Sequence, residues 1–97
     1  MTQYLKADRF YFVDGVKEGG YLALLDGHFG RWQNEKPTDG DILDYSGKQI
    51  APGLVDTHIH GYAGWDVMDA SPEGIHAMSE GLLSTGVTSF LPTTLTS

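Results

Sequence analysis

Residues 52–61 read PGLVDTHIHG: a Pro-Gly pair, a short apolar run, an aspartate, and two histidines one residue apart. In an extended strand, residues i and i+2 point to the same side, so His58 and His60 project together, with Asp56 and Leu54 sharing that side. Two imidazoles presented from one backbone segment can bite a single metal ion, or hold one ion while reaching toward a second, at the ~2.0 to 2.1 Å of zinc–nitrogen bonds. Asp56 is expected beside such an ion as a carboxylate that orients a ring, because metal-bound imidazoles usually donate their other ring proton to a carboxylate or carbonyl. The competing reading is that two polar residues simply alternate at a strand end, since a His-x-His pair alone is a weak signal. The Pro-Gly opening, the apolar run and the following Gly61 make the whole pattern far more demanding than the pair.

Working outward, the segment after the histidines reads as a βαβ unit. A strand from Gln49 to about His58 is expected, then a glycine-containing loop from Gly61 to Gly64, a helix, and a second strand. Ser71 suits an N-cap, Pro72 the first helical position, and Glu73 the positive end of the helix dipole. Ile75, Met78 and Leu82 recur at helical spacing and define one apolar face. Gly86 is placed to end the helix, and Val87 to Leu91 is rich in strand formers. In a barrel of alternating strands and helices, catalytic groups sit at the C-terminal ends of the strands, where His58 and His60 fall. Gly61 is expected to let the next loop turn away without crowding a ligand. Thr93 and Thr94 end the second strand on the same expected face and are candidates to line a pocket. Asp66 and Asp69 are weaker candidates, as loop carboxylates are usually just solvated. His28, beside a turn, and His76, on the helix, have no partner at ligand spacing and read as solvated.

Upstream, the chain has a different grammar. Residues 9–34 alternate aromatic and β-branched residues with glycine pairs and Asp-Gly dipeptides, which reads as β structure. Asp26-Gly27 is the clearest two-residue hairpin turn, and Gly30 is placed to mark a bulge. Asn34 to Gly40 reads as a loop, Ile42 to Tyr45 as a short strand, and Ser46-Gly47-Lys48 as a turn. The chain is thus expected to divide into a β-rich part, residues 1–48, and an α/β part, residues 49–97. A lone βαβ unit covers only one face of its sheet, whereas parallel sheets normally have both faces buried, so the second part reads as the opening of a larger fold.

Composition narrows the chemistry. Among 97 residues, 13 Asp and Glu face 6 Lys and Arg with no basic run, so the electrostatic footprint of a nucleic-acid partner is missing. There is no cysteine, which leaves histidine and carboxylate as metal ligands. The first dozen residues lack the apolar core of a signal peptide, and no run approaches the ~20 apolar residues of a membrane helix. A cytoplasmic protein without a membrane partner is the expectation. No phosphate-cradling glycine motif occurs.

PGLVDTHIHG resembles the first-strand signature of the amidohydrolase superfamily, metal-dependent hydrolases on a (β/α)8 barrel. The continuation, HGYAGWDVMDA and then GLLSTGVTSFLPTTLTS, resembles the N-acetylglucosamine-6-phosphate deacetylase family within it. The resemblance is strong from residue 47 onward and only one of character before it. It implies an α/β fold in which part of a small β-sandwich domain precedes the first βαβ unit of an incomplete (β/α)8 barrel. It also implies hydrolysis of the acetamide of an amino-sugar phosphate, with His58 and His60 as ligands of a divalent metal, zinc or iron. The histidine pair suggests the type with two ions, and a homodimer is the expected assembly. A barrel takes about 250 residues, so the remaining ligands and the general base are expected on segments this chain lacks, and the chain alone is expected to be inactive. Two alternatives stay open: an amidohydrolase acting on a cyclic amide, and a non-catalytic fragment that associates with itself.

Overall fold

The structure is a computed structural model that describes residues 2–96. Contacts divide the chain into two compact units, separated between Pro52 and Gly53.

The first unit is one mixed sheet of five strands: β1 (Thr2–Phe12), β2 (Gly15–Glu18), β3 (Tyr21–Leu25), β4 (His28–Gln33) and β5 (Asp41–Ile50). β1 is its spine. Its second half pairs antiparallel with β2, its first half antiparallel with β3, and its other edge parallel with β5. β1 begins seven residues before the β-rich stretch expected from Arg9. The core shows why the start is hard to read. Ala7, Phe10 and Leu22 form the buried cluster, with Leu5, Phe12, Trp32 and Ile50 packed on it. Leu5 and Ala7 alternate, then Phe10 and Phe12 alternate, but the phase slips by one residue at Asp8–Arg9, where the pairing with β5 also jumps.

The β3–β4 hairpin forms as the sequence indicates. Leu25 pairs with His28, and Asp26 and Gly27 both have positive φ, 50° and 77°, as a type I′ turn requires. The register shifts between Leu22 and Leu24, opposite Gly30, so Gly30 does lie in a bulge. A Cβ there would stand 3.1 Å from that of Ala23.

Ser46-Gly47-Lys48 does not turn the chain. β5 continues through it, and the three residues form an irregularity opposite Asp8. The Gly47 N–H donates to Asp8 Oδ1 at 3.0 Å, and Asp44 Oδ1 accepts from the Ser46 N–H at 2.9 Å. These side-chain bonds satisfy a backbone that leaves the ladder, so turn-type residues appear inside a strand. Gln49 and Ile50 consequently belong to β5, paired with Arg9 and Phe10, and not to the strand that carries the histidines.

The second unit contains β6 (Leu54–Ile59), β7 (Gly61–Tyr62), β8 (Trp65–Asp66), α1 (Pro72–Leu82) and β9 (Val87–Pro92). β6 and β9 are parallel and joined through α1. The described residues therefore hold one βαβ unit and no closed barrel. Ser71 caps α1, its hydroxyl accepting from the Gly74 N–H at 3.1 Å, and Pro72 fills the first position. The buried helix face is Gly74, Met78 and Leu82; Ile75 is half-buried beside it. A 3-10 turn, Leu83–Thr85, follows, and Gly86 at φ 90° closes that turn and not the α-helix itself. No helix among the described residues is long and apolar enough to cross a membrane.

The expected glycine loop is a small hairpin. Gly61 pairs with Asp66 and Tyr62 with Trp65, around Ala63 and Gly64 at φ 52° and 87°. A side chain at Gly61 would run into the Trp65 carbonyl oxygen. Its smallness serves this close backbone approach.

Candidate metal centre

The end of β6 brings His58 together with His60, the residue that follows the strand. Their Nε2 atoms lie 3.1 Å apart, and the rings meet edge to face with centroids 4.8 Å apart. His58 is exposed and His60 half-buried. Two nitrogens at this separation, each ~2.0 to 2.1 Å from one ion, subtend roughly 100° at it, near the tetrahedral preference of zinc. The donor set therefore fits a metal, though only in part. Among the described residues, no group of three or more His, Asp or Glu side chains could hold an ion.

The tautomer of His60 is set by its surroundings. Its Nδ1 lies 3.0 Å from the backbone carbonyl of Thr93, which can only accept, so Nδ1 carries the proton and Nε2 of the neutral ring keeps its lone pair. His58 Nε2–H can donate to that lone pair at this distance. To offer a lone pair of its own to a metal, His58 would carry its proton on Nδ1.

Asp56 bonds to the backbone beside the rings. Its Oδ1 accepts the backbone N–H of His58 at 3.0 Å, a local bond that closes the irregularity where two residues, Thr57 and His58, stand opposite Leu91 alone. The carboxylate expected to orient a ring is thus bonded here to the backbone, and the carbonyl of Thr93, the residue after β9, meets His60 Nδ1. Thr93 is at the site by its main chain, while its hydroxyl accepts from the Ile59 N–H at 3.2 Å and donates to the Leu91 carbonyl at 3.0 Å. Thr94 is exposed, with no side-chain hydrogen bond among the described residues. Asp66 is occupied in capping the turn Val67–Asp69, accepting from the Met68 N–H at 2.9 Å. His76 is paired with Glu80 at 3.0 Å on the exposed side of α1, and His28 Nδ1 lies 3.0 Å from the carbonyl of Asp26. The Thr93 carbonyl is the contact that sequence reasoning missed, because a backbone oxygen leaves no mark on residue identity.

No family model matches the chain. N-acetylglucosamine-6-phosphate deacetylase of Lysinibacillus sphaericus is 52% identical over 56 residues, which cover 58% of this chain and 14% of that protein. N-acetylgalactosamine-6-phosphate deacetylase of Escherichia coli O157:H7 is 32% identical over 96 residues, 99% of this chain and 25% of that protein. The chain is related to these deacetylases. The relatives are enzymes, and the chain spans a quarter of their length or less, between 14% and 25%. In fold it matches a solved N-acetyl-D-glucosamine-6-phosphate deacetylase from Mycobacterium smegmatis, with a TM-score of 0.84 and 21% identity, over 99% of this chain and 25% of that one. A guanine deaminase of Escherichia coli K12 is 47% identical over 49 residues, 44% of this chain and 11% of that protein, so part of the sequence is shared beyond deacetylases.

Proposed function

We propose that these residues are part of a metal-dependent deacetylase that hydrolyses the acetamide of N-acetylglucosamine 6-phosphate to glucosamine 6-phosphate and acetate. The observation that carries the reading is the convergence of His58 and His60 Nε2, 3.1 Å apart, at the C-terminal end of β6 in a chain whose relatives are amino-sugar-phosphate deacetylases. The role assigned to His58 and His60 is that of ligands to zinc or iron, in a centre of two ions. A divalent cation supplies Lewis acidity, which polarises an amide carbonyl and makes water a competent nucleophile near neutral pH. Within this chain, His60 holds its proton on Nδ1 against the Thr93 carbonyl, keeping the Nε2 lone pair outward. His58, exposed and with no ring hydrogen bond except to His60 among the described residues, is free to adopt the same tautomer.

Two histidines leave a four-coordinate site incomplete. The other ligands, the general base and the groups that bind phosphate are assigned to segments outside these 97 residues, so the isolated chain is expected to have no deacetylase activity. The match to a guanine deaminase favours a second reading, hydrolysis at a cyclic amide or amidine by the same metal centre.

The deciding experiment is an assay of the full-length protein carrying this sequence, with acetate and ammonia measured separately. Acetate release from N-acetylglucosamine 6-phosphate, lowered more than about 100-fold by His58→Ala or His60→Ala, is the expected result. Ammonia release from a purine, without acetate release from either N-acetylhexosamine 6-phosphate, would transfer the assignment to the second reading.

A further inference from the structure

All three polar groups of Thr93 that the structure engages go to a few backbone and ring atoms. Its N–H donates to the Ile59 carbonyl at 2.8 Å. Its hydroxyl stands between the Ile59 N–H, from which it accepts at 3.2 Å, and the Leu91 carbonyl, to which it donates at 3.0 Å. Its carbonyl receives the Nδ1–H of His60 at 3.0 Å. Ile59 is the residue between the two histidines, so both of its backbone polar groups are bonded to Thr93.

This arrangement occurs where the β6–β9 ladder is irregular. Pairing runs from Asp56 opposite Phe90 to Ile59 opposite Pro92, so β6 carries one residue more than β9 across the interval. Pro92 has no N–H to donate. The Thr93 hydroxyl bridges a donor on β6 and an acceptor on β9, and both ends of Ile59 are fixed in spite of the slip. With Ile59 fixed, the Thr93 carbonyl is held at the one place where it meets His60 Nδ1.

We propose that Thr93 is the positioning residue of the histidine pair: its hydroxyl bridge at Ile59 registers the ends of the two strands and thereby fixes His60 as the Nδ1–H tautomer with Nε2 directed at the metal. The inference rests on the metal centre proposed above. It separates the side chain, which registers the strands, from the main chain, which contacts the ring. Serine retains the hydroxyl, whereas valine keeps the branched shape and removes it.

The test uses the full-length protein. Zinc affinity is measured by competition with a chromogenic chelator for the unmodified protein, Thr93→Ser, Thr93→Val and His60→Gln. Thr93→Val is expected to weaken zinc binding by about 10- to 100-fold, the usual range for a residue that orients a ligand, with Thr93→Ser restoring most of the loss. Unchanged affinity in Thr93→Val alongside weakened affinity in His60→Gln overturns the role of Thr93 and leaves the metal centre standing. Equal affinity in His60→Gln and the unmodified protein overturns the metal centre and this inference with it. A second measurement does not depend on any Thr93 variant folding. In metal-free protein with ring-labelled histidine, nitrogen chemical shifts in mildly alkaline solution report the tautomer of His60, its signal assigned by its loss in His60→Gln. The Nδ1–H form supports the proposal, and the Nε2–H form overturns it.

Discussion

Single residues in the first unit decide how its backbone leaves and rejoins the ladder, and two of them make its stability depend on pH. Hydrogen bonds from the Ser46 hydroxyl and then from its N–H stabilise the Asp44 carboxylate, and the charge of Lys6 adds to them, so the pKa of Asp44 lies below its ordinary 3.8. A carboxylate with a depressed pKa in the folded state contributes stability that is present above 3.8 and lost as pH falls through the folded value. Asp44→Asn should therefore be less stable than the unmodified chain at neutral pH, and that difference should shrink in acid. Thermal midpoints of both proteins, followed from about pH 5 to pH 2.5, check this; a difference that stays constant across the range would mean the carboxylate is not the stabilised species. Tyr4 shows the opposite sign. Its hydroxyl donates to Asp39 at 2.7 Å, and that bond, then burial, then the Asp39 charge raise its pKa above 10.0. Its contribution is complete below 10.0 and lost as pH rises through the folded value. Tyr4→Phe should accordingly be less stable than the unmodified chain at neutral pH, with the gap narrowing in alkali; a gap that does not narrow in alkaline unfolding curves would assign the effect to packing alone.

At the scale of elements, the signals that were legible are those whose cause lies within a few residues. The Ser71 cap and Pro72 announce α1 because the first-turn N–H groups need a local acceptor and proline has none to lose. Ser71→Ala should cost about 1 kcal/mol, read as a lower urea midpoint at unchanged slope. A change in slope instead would show that the helix end was not the only thing altered. Asp26-Gly27 likewise marks its hairpin because only residues that tolerate positive φ can fill both turn positions. The passage of β5 through Ser46-Gly47-Lys48 was not legible, since the partner that satisfies Gly47 is Asp8, 39 residues away in sequence. The early start of β1 was hidden by the phase slip at Asp8–Arg9, which breaks the alternation on which strand recognition depends. The same division holds at the histidines. Period-two spacing in β6 put His58 and His60 on one side, but the roles of Asp56 and Thr93 depended on the irregular pairing with β9, for which residue types alone gave no sign.

For the whole molecule, the limiting quantity is buried apolar surface. The buried apolar side chains among the described residues are Tyr4, Ala7, Phe10, Leu22, Val67, Met78 and Leu82, shared between two units of roughly fifty residues each, a size at which a single core is marginal. In the second unit the βαβ strands leave much of their apolar surface uncovered: Leu54 is 61% exposed, Val55 64% and Leu91 59%. Parallel strands normally have both faces covered, and a two-stranded parallel sheet offers two open edges besides. The polypeptide of 97 residues on its own is therefore expected to associate as concentration rises and to bind an environment-sensitive apolar dye. Val55→Lys combined with Leu91→Lys should lower both signals, because like charges on the uncovered strands oppose association while neither side chain contributes to the buried core. Sedimentation velocity across a concentration series, with dye fluorescence on the same samples, makes the measurement. A chain that stays monomeric throughout and binds no more dye than its double variant would mean that these strands are covered in solution by some other part of the polypeptide.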